Sequence, residues 1–310
     1  MNSDASAPSP SSKSTMRALL PSIARLHIVA IGALGTLTFS WALCGVRDVP
    51  LAMFSACDWF VVNLLNRIVD VVEDQHNGIA GADVVARHSR RTLLVGVGVL
   101  VASLVCSAVV APQTLPIRLA FHALGFAYNW RLLPAFAGGR RRRIKELVFW
   151  KNTASALGFL FTCFALPLVS HVAIVSVEAI VAAAFFFFLF ELSFEVLYDL
   201  RDIEGDRLAG VMTWPVVFGA VAAGRIAVGQ AVAALFVVVV SFALGVLPWH
   251  LAIMGVAPLM QLAVVAQYLP TATRQSRVTS SLCIEITWAG CGLLVAYHLW
   301  EALGLPGSGR

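Results

Sequence analysis

Phe185-Phe186-Phe187-Phe188-Leu189-Phe190 leads through Glu191-Leu192-Ser193-Phe194-Glu195-Val196-Leu197-Tyr198 into Asp199-Leu200-Arg201-Asp202-Ile203-Glu204-Gly205-Asp206. An apolar run of this density belongs in hydrocarbon, and the carboxylates behind it do not. Glu191, Glu195 and Asp199 recur every four residues, which on a helix stacks them on one face. Ionisable groups carried that far into an apolar helix are costly and normally face a cavity or a pathway. The stretch reads as a membrane helix with one polar face, closed by an acidic end.

The rest of the chain has the same character. Of its 310 residues, 59% are hydrophobic and only 13% charged, whereas soluble domains carry about 25% charged residues. That leaves too little polar surface for a soluble fold, so the chain reads as an integral membrane protein. Long continuous runs favour helices and exclude a β-barrel, which needs short alternating segments. Cys44, Cys57, Cys106, Cys163, Cys283 and Cys291 show no CxxC pairing, so neither a disulfide frame nor a zinc site is expected.

Runs long enough to cross a bilayer occupy 26–45, 50–70, 92–111, 117–136, 151–169, 174–198, 226–246, 250–269 and 281–301. Alternate connections are basic: Lys13, Arg17 and Arg25; Arg87, Arg90 and Arg91; Arg140 to Arg143 with Lys145; Arg201, Arg207 and Arg225; Arg274 and Arg277. The opposite side keeps Arg47, Arg118 and Arg310. The net charge of +5 is thus a topology signal and not a nucleic-acid footprint. The expected fold is all-α and polytopic, with nine transmembrane helices and a cytoplasmic N-terminus. Residues 1–20 form a disordered tail and 305–310 a short C-terminal one. Residues 21–304 form one domain, with a pseudo-repeat of 21–150 and 151–280 plus a last helix.

A second acidic cluster closes the second run: Asn66-Arg67-Ile68-Val69-Asp70-Val71-Val72-Glu73-Asp74. Asn66, Asp70 and Asp74 share the four-residue spacing of Asp202 and Asp206. Like charges stacked this way repel, and a divalent cation removes the repulsion. Mg²⁺ prefers carboxylate oxygens and completes its shell with water and phosphate. Facing clusters at one membrane surface can hold a diphosphate in this way, with Asn66, Asp70, Asp74, Asp199, Asp202 and Asp206 as candidate metal ligands. Lys145 and Lys151 stand where the fifth helix enters the membrane, and Arg67 lies inside the first cluster. All three are candidates to neutralise a diphosphate. The arginine run itself reads as an anchoring loop. Asp58, Asn63 and Glu285 read equally as site residues or as interhelical polar contacts, and His122 as a surface or interhelical residue.

The two clusters resemble the paired motifs of the UbiA superfamily of intramembrane prenyltransferases. Asn66, Asp70 and Asp74 match the first motif, with Arg67 in place of an early Asp. Asp199, Asp202 and Asp206 match the second, and Gly210 and Pro215-Val216-Val217-Phe218-Gly219 continue the likeness. The resemblance covers most of residues 20–300. It implies a central cavity, Mg²⁺ and a polyprenyl diphosphate donor. It also implies a small aromatic or lipid acceptor, a hydroxybenzoate-like or quinone-precursor ring foremost, in an isoprenoid and quinone pathway of the cell's inner (plasma) membrane. Asn66, Arg67, Lys145 and Lys151 would then bind the diphosphate, while Asp199, Glu195 and Lys151 serve catalysis, with Glu195 or Asp199 as base. Two other readings stand beside it: a terpene cyclase acting on the donor alone, and a secondary transporter.

Overall fold

The computed structural model describes residues 21–134, 141–272 and 280–304. The expected tails, and Lys13, Arg17, Arg140, Arg274 and Arg277, lie outside the described residues. Among the described residues the protein is helical throughout and has no strand. The helices are α1 (Leu26–Cys44), α2 (Val49–Val69), α3 (Val71–His76), α4 (Ala82–Val110), α5 (Leu115–Asn129) and α6 (Trp150–Ser170). They continue with α7 (Val177–Ala209), α8 (Trp214–Phe218), α9 (Ala220–Ala243), α10 (Val256–Ala272) and α11 (Ser280–Ala302). Each of the nine predicted runs overlaps one of these helices, with α3 and α8 as additional short pieces. Among the described residues, seven helices are long and apolar enough to cross a membrane, and α5 and α10 are shorter.

Helix ends follow local chemistry. Asp48 caps α2 by accepting from Leu51 N at 2.8 Å, with Pro50 in the first turn. Ser176 caps α7 the same way through Ala179 N. α7 then runs 33 residues to Gly210, whose φ of 69° ends it. At 1.5 Å per residue that is about 50 Å, well beyond a hydrocarbon core of about 30 Å. Hydropathy places the end of this span near 198; the helix itself continues because nothing before Gly210 breaks it. The second acidic cluster is therefore helical and projects past the apolar zone. α4 likewise starts at Ala82 and not near 92, with a kink at His88.

The first cluster is built differently. α2 ends at Val69, Asp70 leaves helical geometry (φ −99°, ψ 17°), and α3 resumes at Val71. The break turns α3 toward the projecting end of α7. Asn77 Oδ1, just after α3, accepts from Gly205 N at 2.9 Å. A Cβ on Gly205 would lie 2.3 Å from the Asn77 side chain, so only glycine permits this approach. Gly205→Ala should cost about 1–3 kcal/mol, the usual effect of overpacking, read as a lowered thermal midpoint in detergent; an unchanged midpoint would show that the contact is dispensable.

α7 and α9 pack along a seam of small residues. Ala223, Ala227, Ala231 and Ala234 are fully buried, and Ser193 Oγ donates to the Ala227 carbonyl at 2.8 Å. Small side chains let membrane helices approach closely where no hydrophobic drive holds them. On the outside, Leu94, Val97, Val101, Val105 and Val109 of α4 are exposed. An apolar exterior over a polar-seamed interior is that of an integral membrane protein.

One expectation is corrected here. Arg118 is not a connection residue. It is wholly buried on α5 and donates to Asp58 of α2 and Ser103 of α4. His122 joins through a 2.9 Å contact to Asp58. Asp58 and His122 are thus interhelical contacts.

Candidate active site

The two acidic clusters meet at one end of the bundle, each carrying its own cations. In the first half, Lys145 Nζ bonds Asp70 and lies 3.4 Å from Glu73 Oε2. Arg143 stands 3.9 Å from both carboxylates. Arg67 Nη1 donates to Asp74 Oδ2 at 2.7 Å and Nη2 to the Ser22 carbonyl at 3.0 Å. In the second half, Lys151 Nζ bridges Asp199 at 2.7 Å and Asp206 at 3.1 Å. Asn152 Nδ2 donates to the other Asp199 oxygen at 3.0 Å. Arg201 holds both oxygens of Asp202, at 2.8 and 2.6 Å.

Asp70, Asp74, Asp199 and Asp206 are all buried. Burial, and then the charge of Asp70, push the Glu73 carboxyl above its ordinary range against the pull of Lys145 and Arg143. At Glu146 burial is outweighed by the hydrogen bonds of Arg143, and that carboxyl falls below its ordinary range. The Asp70–Glu73 corner is therefore a place where added positive charge is favourable.

A cavity of about 460 Å³ extends from this end into the bundle. Arg25, Asn66, Ser155, Glu195 and Tyr198 line it, and Ser155 Oγ donates to Glu195 Oε1 at 2.7 Å. Deeper, the walls are aromatic: Phe187, Phe190 and Phe194 follow Tyr198 along α7, and Phe39, Trp59, Phe121 and Phe159 also line the cavity. The ring centroids of Phe190, Phe194 and Tyr198 are spaced 6.5 and 5.1 Å along α7. The polar face read in Glu191 and Glu195 does face a cavity.

All the predicted site residues fall at this end, but in two layers. Asn66 and Glu195 line the cavity; Arg67, Asp70, Asp74, Lys145, Lys151, Asp199, Asp202 and Asp206 stand behind them in ion pairs. Arg201, Asn77, Ser155 and Arg25 escape sequence reasoning. Arg143, read as part of an anchoring run, reaches Asp70. Arg25 alone carries a recognisable mark afterwards, a left-handed backbone (φ 46°) that non-glycine residues avoid.

The donor set fits Mg²⁺ in kind. It is all oxygen, it is drawn from both clusters, and the buried Asn66 Oδ1 has no partner. Among the described residues, no three acidic, histidine or cysteine side chains converge into a formed metal cage. The carboxylates are turned to lysine and arginine instead, because like charges do not gather without a cation between them.

The geometry has parallels. The model of the UbiA prenyltransferase family matches residues 18–289. A UbiA homologue from Archaeoglobus fulgidus bound to GPP and Mg²⁺ superposes with a TM-score of 0.66 at 17% identity, over 91% of this chain and 97% of that one. The same homologue bound to DMAPP and Mg²⁺ gives 0.65 at 17% identity, over 91% and 96%. A digeranylgeranylglyceryl phosphate synthase structure gives 0.53 at 16% identity, over 92% and 95%. No curated protein matches the chain. These likenesses concern the fold.

Proposed function

We propose a reaction from one premise: the chain belongs to the UbiA prenyltransferase family. The reaction is transfer of an isoprenyl group from a polyprenyl diphosphate to a small aromatic acceptor of the hydroxybenzoate or quinone-precursor kind. The observation that carries it is the joining of an aromatic-lined cavity to a cation-rich acidic end through Asn66, Glu195 and Tyr198. The GPP and DMAPP held with Mg²⁺ by relatives of the same fold support the donor class. The skew of basic residues supports a site facing the cytoplasm from the plasma membrane, and residues 21–304 act as one domain.

The diphosphate lies between α3 and the end of α7. Asp70, Asp74, Asp199, Asp202 and Asp206, with Asn66, would hold Mg²⁺, which when bound neutralises diphosphate oxygens and eases their departure. Lys145, Lys151 and Arg67 add fixed positive charge around the leaving group. The isoprenyl chain occupies the apolar cavity, where Phe190, Phe194 and Tyr198 present π faces to the positive charge that develops as the C–O bond breaks. The acceptor carbon bonds to that centre, and Glu195, oriented by Ser155, takes the displaced ring proton. Asp199 fixes Lys151 and Asn152.

The test is direct. Purified protein with labelled polyprenyl diphosphates and a panel of phenolic acceptors should form prenylated product with Mg²⁺ and none after chelation. Diphosphate release at one rate with or without acceptor, yielding hydrocarbon, would replace this reading with a cyclase.

A further inference from the structure

Two polar groups in the cavity wall are left over by this reaction. Glu191 of α7 is 5% exposed and Gln261 of α10 is 2% exposed; both line the cavity. Glu191 Oε2 and Gln261 Oε1 are buried and have no hydrogen-bond partner. The Gln261 amide is oriented from behind, because its Nε2 is held by Ser193 Oγ, which donates to the Ala227 carbonyl. Buried polar atoms without partners are costly and rare, and two in one cavity wall call for an explanation. A bilayer-spanning helix has no structural need of either group.

Their position identifies what they would hold. Glu191 lies one turn above Glu195, a rise of about 6 Å, the length of a single substituted ring. Gln261 Oε1 can only accept, whereas Glu191, buried with no cation beside it among the described lining residues, keeps its proton and has an O–H to give. The group that satisfies both is one that donates and accepts at once: a hydroxyl. The one cation among the described lining residues, Arg25, stands just before α1 at the polar end, where Asn66, Glu195 and Tyr198 also gather. A carboxylate placed at Glu191 and Gln261 would have no cation beside it among the described lining residues and no proton for Gln261 Oε1; a phenol hydroxyl accepts from Glu191 and donates to Gln261 Oε1.

We propose that Glu191 and Gln261 form an acceptor subsite that takes the hydroxyl of a neutral phenol and holds its ring above Glu195. This rests on the transfer reading above and narrows its acceptor from hydroxybenzoate-like rings in general to phenols without an acid group at that end. A hydrogen bond from the hydroxyl to Gln261 Oε1 also raises electron density in the ring, so the group that selects the acceptor also favours attack by its ortho and para carbons.

The test is binding, read by quenching of the cavity tryptophans Trp59 and Trp300 and corrected for detergent partition. 4-Methylphenol should bind the full-length protein about tenfold more tightly than its O-methyl ether, the effect of one hydrogen bond. 4-Hydroxybenzoate should bind no better than 4-methylphenol. Gln261→Leu should bring the phenol-to-ether ratio close to one, and Glu191→Leu should weaken both ligands about tenfold. Equal binding of phenol and ether by the unaltered protein overturns the proposal whether or not the variants fold, as does a ratio unchanged in Gln261→Leu. Turnover of labelled prenyl diphosphate by the same preparation separates the two readings. Turnover with a ratio of one removes the subsite and leaves transfer standing; a tenfold ratio without turnover leaves a phenol site and removes transfer.

Discussion

Lys151→Met should reduce prenyl transfer about 10²–10³-fold, the usual loss when one preorganised charge is removed from a site of developing anion. It should also lower stability by about 3–5 kcal/mol, because Asp199 and Asp206 would remain buried with their shared cation gone. The two effects separate on adding metal. If these carboxylates are metal ligands, Mg²⁺ can take over the neutralising role that Lys151 has between them. The thermal midpoint of the variant should then fall steeply in chelator and recover substantially in Mg²⁺, while turnover stays low because the fixed charge near the leaving group is still missing. Lys151→Arg should keep most of the stability and less of the activity, since a planar guanidinium does not replace a compact ammonium between two carboxylates. A midpoint equally depressed with and without Mg²⁺ would remove Asp199 and Asp206 from the metal site. Unchanged turnover would remove Lys151 from catalysis.

Much of this arrangement is legible in the chain because lipid leaves few options. A backbone in hydrocarbon must bond itself, so apolar runs of sufficient length become helices; each of the nine runs overlaps a helix, and seven of the described helices are long and apolar enough to cross a membrane. Asp70 and Asp74 reach the same end of the bundle as Asp202 and Asp206 because each pair follows an apolar run that crosses in the same direction. What hydropathy misses is where a helix outlives its apolar run. α7 continues eleven residues past 198 because Gly210 is its first C-cap, and that extension carries the second cluster to Asn77. The ion pairs were legible unevenly. Lys145 and Lys151 stand beside the membrane entry of α6, which places them within reach of the two acidic clusters. Arg201 is adjacent to Asp202 in sequence, and neighbours one apart do not ordinarily face each other on a helix, so spacing carries no signal for that pair. Glu191 is visible as a costly buried acid, but its companion Gln261 lies 70 positions away on a helix whose own pattern shows nothing unusual.

Arg118→Met should destabilise the protein by about 3–5 kcal/mol while leaving the acidic end of the cavity intact. The guanidinium is enclosed: Nε donates to Asp58 Oδ2 at 2.9 Å, Nη1 to the Ser103 carbonyl at 2.9 Å and Nη2 to Ser103 Oγ at 2.6 Å, with the Phe54 ring 4.7 Å from its carbon. Removing it leaves the Asp58 carboxylate buried with only the 2.9 Å contact to His122. Most of the expected loss is the desolvation of that orphaned charge and not the net worth of the pair. The double variant Asp58→Leu/Arg118→Met tests this division. With both charges replaced by apolar side chains, stability should return to within about 1 kcal/mol of the parent, as buried pairs exchanged for hydrophobic residues often do. Thermal unfolding in one detergent measures all three proteins. If the double variant is as unstable as the single one, the network's hydrogen bonds across α2, α4 and α5 hold the bundle by themselves. If the single variant is as stable as the parent, water or His122 satisfies Asp58. The network lies sixty residues apart in the chain and just behind Trp59 and Phe121 of the cavity wall. Its integrity should therefore appear in acceptor binding only after it appears in stability, whereas Lys151 should show the reverse order once Mg²⁺ is present.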